Sequence, residues 1–315
     1  MSYLTDELNG ALATPGPARV TGSLHLGEMP GGSRIDVPFT VLRGAQPGPI
    51  VWMMAARDGD EVHATLIAME LQRRLQPDGI VGTVVVLPIG NVPGFGVLSR
   101  EHPLAPTYLE QQMDDRFFEV IAERGGSFVD LHSAGVPSDT VDWTLFVEGD
   151  ATGAAMARAY ASPFLYEHRM GEGEDTDHGL LDDALFVRLS KAGVPSILIE
   201  AGGGLPPSTE TVRRGVEGVE NVLRLLGSTP GEVRSEGDAR VLLRGFRIVT
   251  PSRGGLLEEG VELGEEVEVG QVLARVVDAH GDLLEEIRAT AAGVILTLPL
   301  NPAIGTGTWA YEIGW

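Results

Sequence analysis

The chain of 315 residues has no cysteine. Disulfides, thiolate nucleophiles, iron–sulfur clusters and cysteine-bearing zinc sites are therefore excluded, and any metal must be held by histidine and carboxylate. Lysine is almost missing, with Lys191 the single one. It follows Ser190 rather than a glycine, so no GxxxxGK[ST] phosphate loop can be written, and Schiff-base chemistry would rest on a residue inside a predicted helix. Positive charge is scarce: 23 basic residues face 45 acidic ones, a formal net charge of -22. A general nucleic-acid binder needs cationic surface to displace counterions from phosphates, so nucleic acid is excluded as a partner. Docking on anionic lipid is disfavoured for the same reason. No run of about 18 apolar residues occurs, so no membrane-spanning helix is expected. MSYLTDELNG has neither a basic nor an apolar signal region, and a soluble cytoplasmic protein is the expectation. There is no GxSxG nucleophile elbow, and Gly94-Phe95-Gly96 lacks the third glycine of a dinucleotide fingerprint and reads as a turn.

Within these bounds the hydrophobic pattern has a clear order. Ala18 to Leu42 alternates in short runs broken by glycine and proline, as one or two antiparallel strands at a sheet edge would. Pro49 to Ala56 (PIVWMMAA) is continuously apolar, the pattern of a strand buried on both faces, and Val62 to Leu75 has helical spacing. Thr83 to Ile89 is a second buried strand, completing the strand–loop–helix–strand unit of a mostly parallel sheet. Further strands are predicted at Ser127–Leu131, Trp143–Val147 and Pro195–Ala201. Helices are predicted at Tyr108–Arg124, Thr152–Tyr160, Leu180–Ala192 and Ser208–Leu226. Gly171 to Gly179 (GEGEDTDHG) reads as a solvated acidic loop rather than a calcium loop. After Gly227 the polar stretch STPGEVRSEGDAR reads as a linker, and Val241 to Trp315 shows only short strands between glycines. The division is therefore a catalytic α/β domain at 1–227, a linker at 228–240 and a small all-β domain at 241–315. The fold class is α/β, with a mixed, mostly parallel sheet and flanking helices.

Ligands of open α/β sheets bind at the carboxyl ends of the strands. Three such ends are polar: Asp58-Gly59-Asp60-Glu61 after the first buried strand, Asp130 and His132 at the end of SFVDL, and Glu200 at the end of PSILIEA. A carboxylate ending a strand of Ile197, Leu198 and Ile199 is costly unless it has a partner or a task. Each alone reads equally well as a structural ion pair; all three at one sheet edge favour a metal site. Asp58 and Glu61 can both point into one cleft across a loop-to-helix start, His132 adds an imidazole, and Glu200 stands opposite as a general base. A divalent ion on three protein groups lowers the pKa of a water, and a nearby base can take that water's proton and pass it to a leaving amine. Arg100, in SREHP, is the candidate cation for the oxyanion, with a plain surface arginine as its competing reading.

These segments resemble the succinylglutamate desuccinylase/aspartoacylase family of the zinc carboxypeptidase-like superfamily. PGPIVWMMAARDGDE is similar to the strand leading into the family's His-Gly-Asp-Glu loop, SFVDLHSAG to its Asp-Leu-His segment, and AGVPSILIEAGGG to the strand with the catalytic glutamate. VRRGVEGVENVLRLLG resembles the helix that follows, and the stretch from VTPSRGG to WAYEIG resembles the family's β domain. The resemblance implies metal-ligand positions for Glu61 and His132, the general base for Glu200 and the oxyanion arginine for Arg100. It implies hydrolysis of N-acyl amino acids and related small molecules, usually with zinc. Two departures stand out. The family's first ligand is histidine, and here the position holds Asp58; two carboxylates and one histidine make a harder, more anionic set that admits iron or manganese as alternatives to zinc. His63 is a poor substitute, because it starts the helix past Glu61 and should face elsewhere. The family's Asp-Leu-Asn-Arg segment has no clear equivalent in APTYLEQQMDDRFFEV; Arg116 matches locally but reads better as a surface helix residue, so the substrate is expected to lack the free carboxylate typical of the family.

The C-terminal strands resemble a barrel-sandwich hybrid of the biotinyl or lipoyl carrier type, but those carry their cofactor on a lysine, and none lies between Val241 and Trp315. Carrier function is excluded; walling the cleft mouth or meeting a partner subunit, as in a homo-oligomer, stays open. The expectation is a zinc-dependent deacylase with one divalent ion per chain, held by Asp58, Glu61 and His132 and acting on a small N-acyl substrate. The alternatives are a non-catalytic descendant, with Asp58 marking a degraded site, and a metallopeptidase acting on short peptides.

Overall fold

Alternation along the buried strands sorts their side chains to two faces, and helices cover both. The computed structural model describes residues 6–29, 31–101, 103, 106–171, 178–234, 240–258 and 260–315. The strands that matter here are β1 (Ala18–Glu28), β2 (Arg34–Arg43), β3 (Gln46–Ala55), β4 (Val81–Leu87), β5 (Ser127–His132), β6 (Ser138–Thr140), β7 (Trp143–Val147), β8 (Phe164–His168), β9 (Ser196–Glu200) and β10 (Val241–Leu243). Among the described residues nine of these form one sheet in the order β1-β2-β4-β3-β5-β9-β7-β8-β10. β4, β3, β5 and β9 run parallel, as do β7, β8 and β10, while β1–β2, β2–β4 and β9–β7 are antiparallel. The mixed, mostly parallel sheet expected from the sequence is the one observed.

The helices are α1 (Asp6–Ala13), α2 (Val62–Arg74), α3 (Val92–Phe95), α4 (Pro106–Arg124), α5 (Ala151–Tyr160), α6 (Leu185–Lys191) and α7 (Thr209–Leu225). On β3, Val51, Met53 and Ala55 face a core shared with α2, α5 and α7, while Trp52 and Met54 face one shared with α1, α4 and α6. This period of two, both halves apolar, is why the strand reads as a continuous hydrophobic run. No helix among the described residues is long and apolar enough to cross a membrane.

One expectation needs correction. The helix expected over Leu180–Ala192 is two pieces, a 3-10 turn at His178–Leu181 and α6 from Leu185. Between them Asp182 is drawn to the buried His168, 3.1 Å away, and Ala184 is extended; an aspartate with an outside partner gives the backbone a way out of the helix. α1 and β8 were not expected. Of the acidic loop, 172–177 lie outside the described residues, as do 1–5 at the N-terminus, His102 in SREHP and 235–239 in the linker. Earlier linker residues dock on α7, where the Asn221 side chain donates to the Arg234 carbonyl and accepts from its N–H.

Beyond β10 two small sheets enclose a third core of Val249, Leu273, Val276, Ile287, Ile295 and Ile313. Two of their junctions with the large sheet region hold them in place. β6 pairs with the strand Gly293–Pro299, reinforced by Thr140 Oγ1 donating to the Leu296 carbonyl. Phe246 packs edge-on against Trp143 of β7 and Tyr166 of β8, with ring centroids 5.8 and 5.5 Å apart. Phe246 is buried, so Phe246→Ala is expected to cost about 3–5 kcal/mol, read as a lower midpoint in equilibrium urea denaturation.

Candidate active site

β3, β5 and β9 end at one edge of the sheet. β3 stops at Ala55 and the chain bends at Ala56, whose φ of +48° is a left-handed conformation that alanine seldom adopts. The bend carries Arg57 and Asp58 off the strand axis. Gly59 follows, and a Cβ there would lie 2.3–2.5 Å from backbone atoms of Gly94, Phe95 and Ser99. Only glycine lets this loop lie against the segment that leads to Arg100, and its N–H donates to the Arg100 carbonyl at 3.0 Å. Glu61 caps α2, while His132 and Glu200 end β5 and β9 as direct register partners. Trp143 is Glu200's partner on the other side.

The structure thus brings Asp58, Glu61 and His132 together, all buried, with one donor atom from each within 4.8 Å of the others. His132 Nδ1 is 3.0 Å from Glu61 Oε2 and 3.6 Å from Asp58 Oδ2. Its Nε2 faces the buried Asp130 Oδ1 at 3.4 Å, and that oxygen makes no hydrogen bond among the described residues. Arg100 reaches over from the cleft, 2.8 Å from Asp58 Oδ2 and 3.3 Å from Glu61 Oε1, with Trp309 stacked on its guanidinium at 5.8 Å. His63 points away, its Nε2 accepting the Ser208 N–H at 2.8 Å, as its place in the helix predicts. Arg116 bridges to Glu119 along α4 and does not line the cleft.

Burial sets the electrostatics. Desolvation would raise the Asp58 carboxyl, but Arg100, His132 and Arg57 outweigh it and hold the group well below the usual carboxylate range. Glu61 goes the other way, with burial first and then the Asp58 charge pushing it up to about 7 against the pull of His132. Glu200 is raised well above its ordinary value by burial and by Glu61. Burial opposes the charged form of His132, yet Glu61 and Asp130 overcome it and raise the imidazole well above its ordinary value.

The donor set fits a divalent ion. Tetrahedral donors about 2.1 Å from a zinc ion are separated by about 3.4 Å, close to the 3.0 and 3.6 Å from His132 Nδ1 to its two carboxylate neighbours. Crowded buried carboxylates relieved by a cation are the chemistry such sites use, and Asp130 behind His132 is placed like the carboxylates that orient ligating imidazoles.

A cleft of about 650 Å³ opens beside the cluster. Trp143, Leu145 and Leu198 line it from the sheet, Asp114 and Arg188 from α4 and α6, and Phe246, Ile248, Trp309 and Glu312 from the C-terminal strands. Sequence reasoning did not pick out Arg57, Asp114, Trp309 or Glu312. Arg57 carried a usable signal, a charge set directly beside Asp58 where a buried strand ends; the others sit among ordinary polar and aromatic positions.

Residues 47–226, more than half of the chain, match the succinylglutamate desuccinylase/aspartoacylase catalytic domain. The chain is 26% identical over 291 residues to the N-alpha-acetyl-L-2,4-diaminobutyric acid deacetylase of Halomonas elongata, covering 87% of this chain and 84% of that protein. Among solved structures, the product-bound ectoine utilization protein EutE (DoeB) of Ruegeria pomeroyi superposes with a TM-score of 0.81 at 23% identity, covering 96% of each chain. A succinylglutamate desuccinylase/aspartoacylase from Rhodobacter sphaeroides gives 0.77 at 22% identity, covering 94% of this chain and 95% of that one. These likenesses show a shared fold.

The raised groups share one sign. Glu61, Glu200 and His132 all hold protons more tightly folded than unfolded, so each contributes stability that is full at low pH and lost as pH rises through its folded pKa. These three groups are therefore expected to subtract stability from the metal-free protein from about pH 4.5 upward, with the Glu61 part complete just above its folded value of about 7, while His63 and His168, lowered by burial, act in the opposite sense. Melting curves across this range, repeated with Glu61→Gln, should show a shallower decline in the variant.

Proposed function

Because the chain belongs to the succinylglutamate desuccinylase/aspartoacylase family, we propose that it is a metal-dependent deacylase hydrolysing the amide bond of a small N-acyl amino acid or related compound. The observation that carries this reading is the buried convergence of Asp58, Glu61 and His132 beside one cleft that Arg100 and Glu200 line. Asp58, Glu61 and His132 would hold the ion, which supplies Lewis acidity and a water of lowered pKa. Glu200 takes a proton from the attacking water and returns it to the leaving amine; its raised proton affinity suits a group that must both accept and release. Arg100 presents its guanidinium where charge develops on the carbonyl oxygen. Asp130 holds the His132 ring with Nδ1 toward the two carboxylates.

The substrate is read from the cleft and from the relatives. The arginines lining the cleft face acids: Arg57 meets Asp58 and Asp114, Arg100 meets Asp58 and Glu61, and Arg188 meets Asp115. This supports a substrate without the free carboxylate usual for the family. The Halomonas relative's name, by contrast, is that of an acetylated diamino acid, which carries a carboxylate, so acetylated amines and acetylated diamino acids are both the first to try. Residues 241–315, apart from β10 in the large sheet, are assigned as a β unit that walls the cleft through Phe246, Ile248, Trp309 and Glu312.

A second reading has an observation in its favour. Both oxygens of Asp58 are met by arginines at 2.8 Å, as in a self-neutralised site that binds a ligand or partner without turnover. Asp58→His separates the two, since activity gained by an inert parent would mark a degraded site.

Protein purified with zinc present is expected to hold about one ion per chain. Glu200→Gln should keep the metal and lower kcat by about 10²–10⁴-fold, measured by elemental analysis and by release of acyl product from a panel of N-acyl amines, N-acyl amino acids and dipeptides. A parent that stays metal-free would overturn the deacylase reading.

A further inference from the structure

Asp58 is anchored from behind in a way that Glu61 is not, and we propose that Arg57 is a positioning residue that makes Asp58 a single-oxygen metal ligand. The inference rests on the reading of Asp58 as a ligand given above. Asp58 Oδ1 is met by Arg57 Nη1 at 2.8 Å, while Oδ2 is the oxygen that faces His132 Nδ1 at 3.6 Å. Arg57 is itself fixed: its Nη2 donates to Asp114 Oδ2 at 2.8 Å and its Nε to Asp114 Oδ1 at 3.4 Å. A guanidinium is a rigid planar fork, so gripping the Nε–Nη2 edge with one carboxylate sets the direction in which Nη1 points. The order Asp114–Arg57–Asp58 therefore runs from α4 to the strand end and terminates on one chosen oxygen of the ligand.

The arrangement answers what aspartate brings to a position where the family resemblance places histidine. A ligating imidazole has one donor atom toward the metal and a second nitrogen for a carboxylate or carbonyl that fixes its orientation. A carboxylate has two equivalent oxygens and an extra negative charge. Arg57 removes the equivalence by occupying Oδ1, and its positive charge offsets the one that aspartate adds. The partner behind the ligand has changed sign because the ligand has. Arg100 meets Oδ2 from the open side of the cleft, its side chain is half-exposed and its other terminal nitrogen goes to Glu61, so it shares the ligand oxygens, and among the described residues no carboxylate outside the cluster grips its fork as Asp114 grips that of Arg57. Lysine would replace Arg57 poorly, since its ammonium can reach two carboxylates but has no planar fork by which one sets the direction offered to the other.

The test measures Zn²⁺ affinity by competition with a chromophoric chelator, together with the visible spectrum of the Co²⁺-loaded protein. The variants are Arg57→Met and Asp114→Asn, each made in the parent and in the Asp58→His background. Arg57→Met is expected to weaken Zn²⁺ binding by about 10–100-fold and to change the Co²⁺ spectrum, because the carboxylate is free to turn. Asp114→Asn, which keeps Arg57, should weaken binding by a smaller factor, below about 10-fold, and it decides the matter if Arg57→Met does not fold. With histidine at 58 the effect of Arg57→Met should shrink to within about 3-fold, since an imidazole has no second oxygen to hold. Unchanged Zn²⁺ affinity and an unchanged Co²⁺ spectrum in Arg57→Met, or in Asp114→Asn should that be the variant that folds, would overturn the inference while leaving the metal site in place. An equal loss in the parent and in the histidine background would also overturn it, showing that Arg57 supports the fold alone. A parent that binds neither ion would sink the reading of Asp58 as a ligand and this inference with it.

Discussion

Asp58, Glu61 and His132 are nearly closed off from water, and removing a carboxylate from water costs several kcal/mol unless a counter-charge replaces the lost solvent. Much of the architecture around the strand ends answers that requirement. Arg57 and Arg100 flank Asp58 on opposite oxygens, His132 is wedged between Glu61 and Asp130, and Asp114 closes the arrangement from α4. The compensation is uneven. Asp58 is over-provided and held ionised, while Glu61 and Glu200 are left with raised proton affinities. A site so poised takes up positive charge readily, whether as protons or as an ion.

The parts of this picture legible in the sequence are those governed by one-dimensional regularities. The buried strands PIVWMMAA, TVVVLPI and PSILIEA declare themselves as apolar runs, and because β3, β5 and β9 are parallel, the polar residues at their ends land on one edge. That is how Asp58, His132 and Glu200 could be placed in one cleft without coordinates. What was illegible depends on contacts distant in sequence. Asp114 lies in a helix whose charged residues look alike on paper, and only the packing of α4 against the sheet turns it toward Arg57. α6 starts late because Asp182 finds His168, a partner fourteen residues away. α1 was hidden by its shortness, with only Leu8 and Ala11 buried.

The C-terminal strands show the same limit from another side. Their spacing reveals short strands and turns, and the missing lysine strips them of carrier chemistry, but nothing in the pattern says where they dock. The structure answers through β6, which lies between β5 and β7 in the chain but pairs with Gly293–Pro299 instead of the large sheet, and through Phe246, packed against Trp143 and Tyr166. As a result Trp309 and Glu312 share a cleft with Glu200. The end of the chain supplies part of the cleft wall, although its residues carry no motif.

The close approach at Gly59 reaches beyond its local geometry. With no room for a side chain and its N–H bound to the Arg100 carbonyl, the loop bearing Asp58 and the segment bearing Arg100 form one mechanical piece. Mutational drift cannot reshape either without disturbing the other. Among the described residues the facing walls, on α6 and the C-terminal strands, carry no such close approach to this loop, apart from Trp309, whose ring stacks on Arg100. One side of the cleft is thus held rigid by backbone contact, while the side facing it is built from side chains alone.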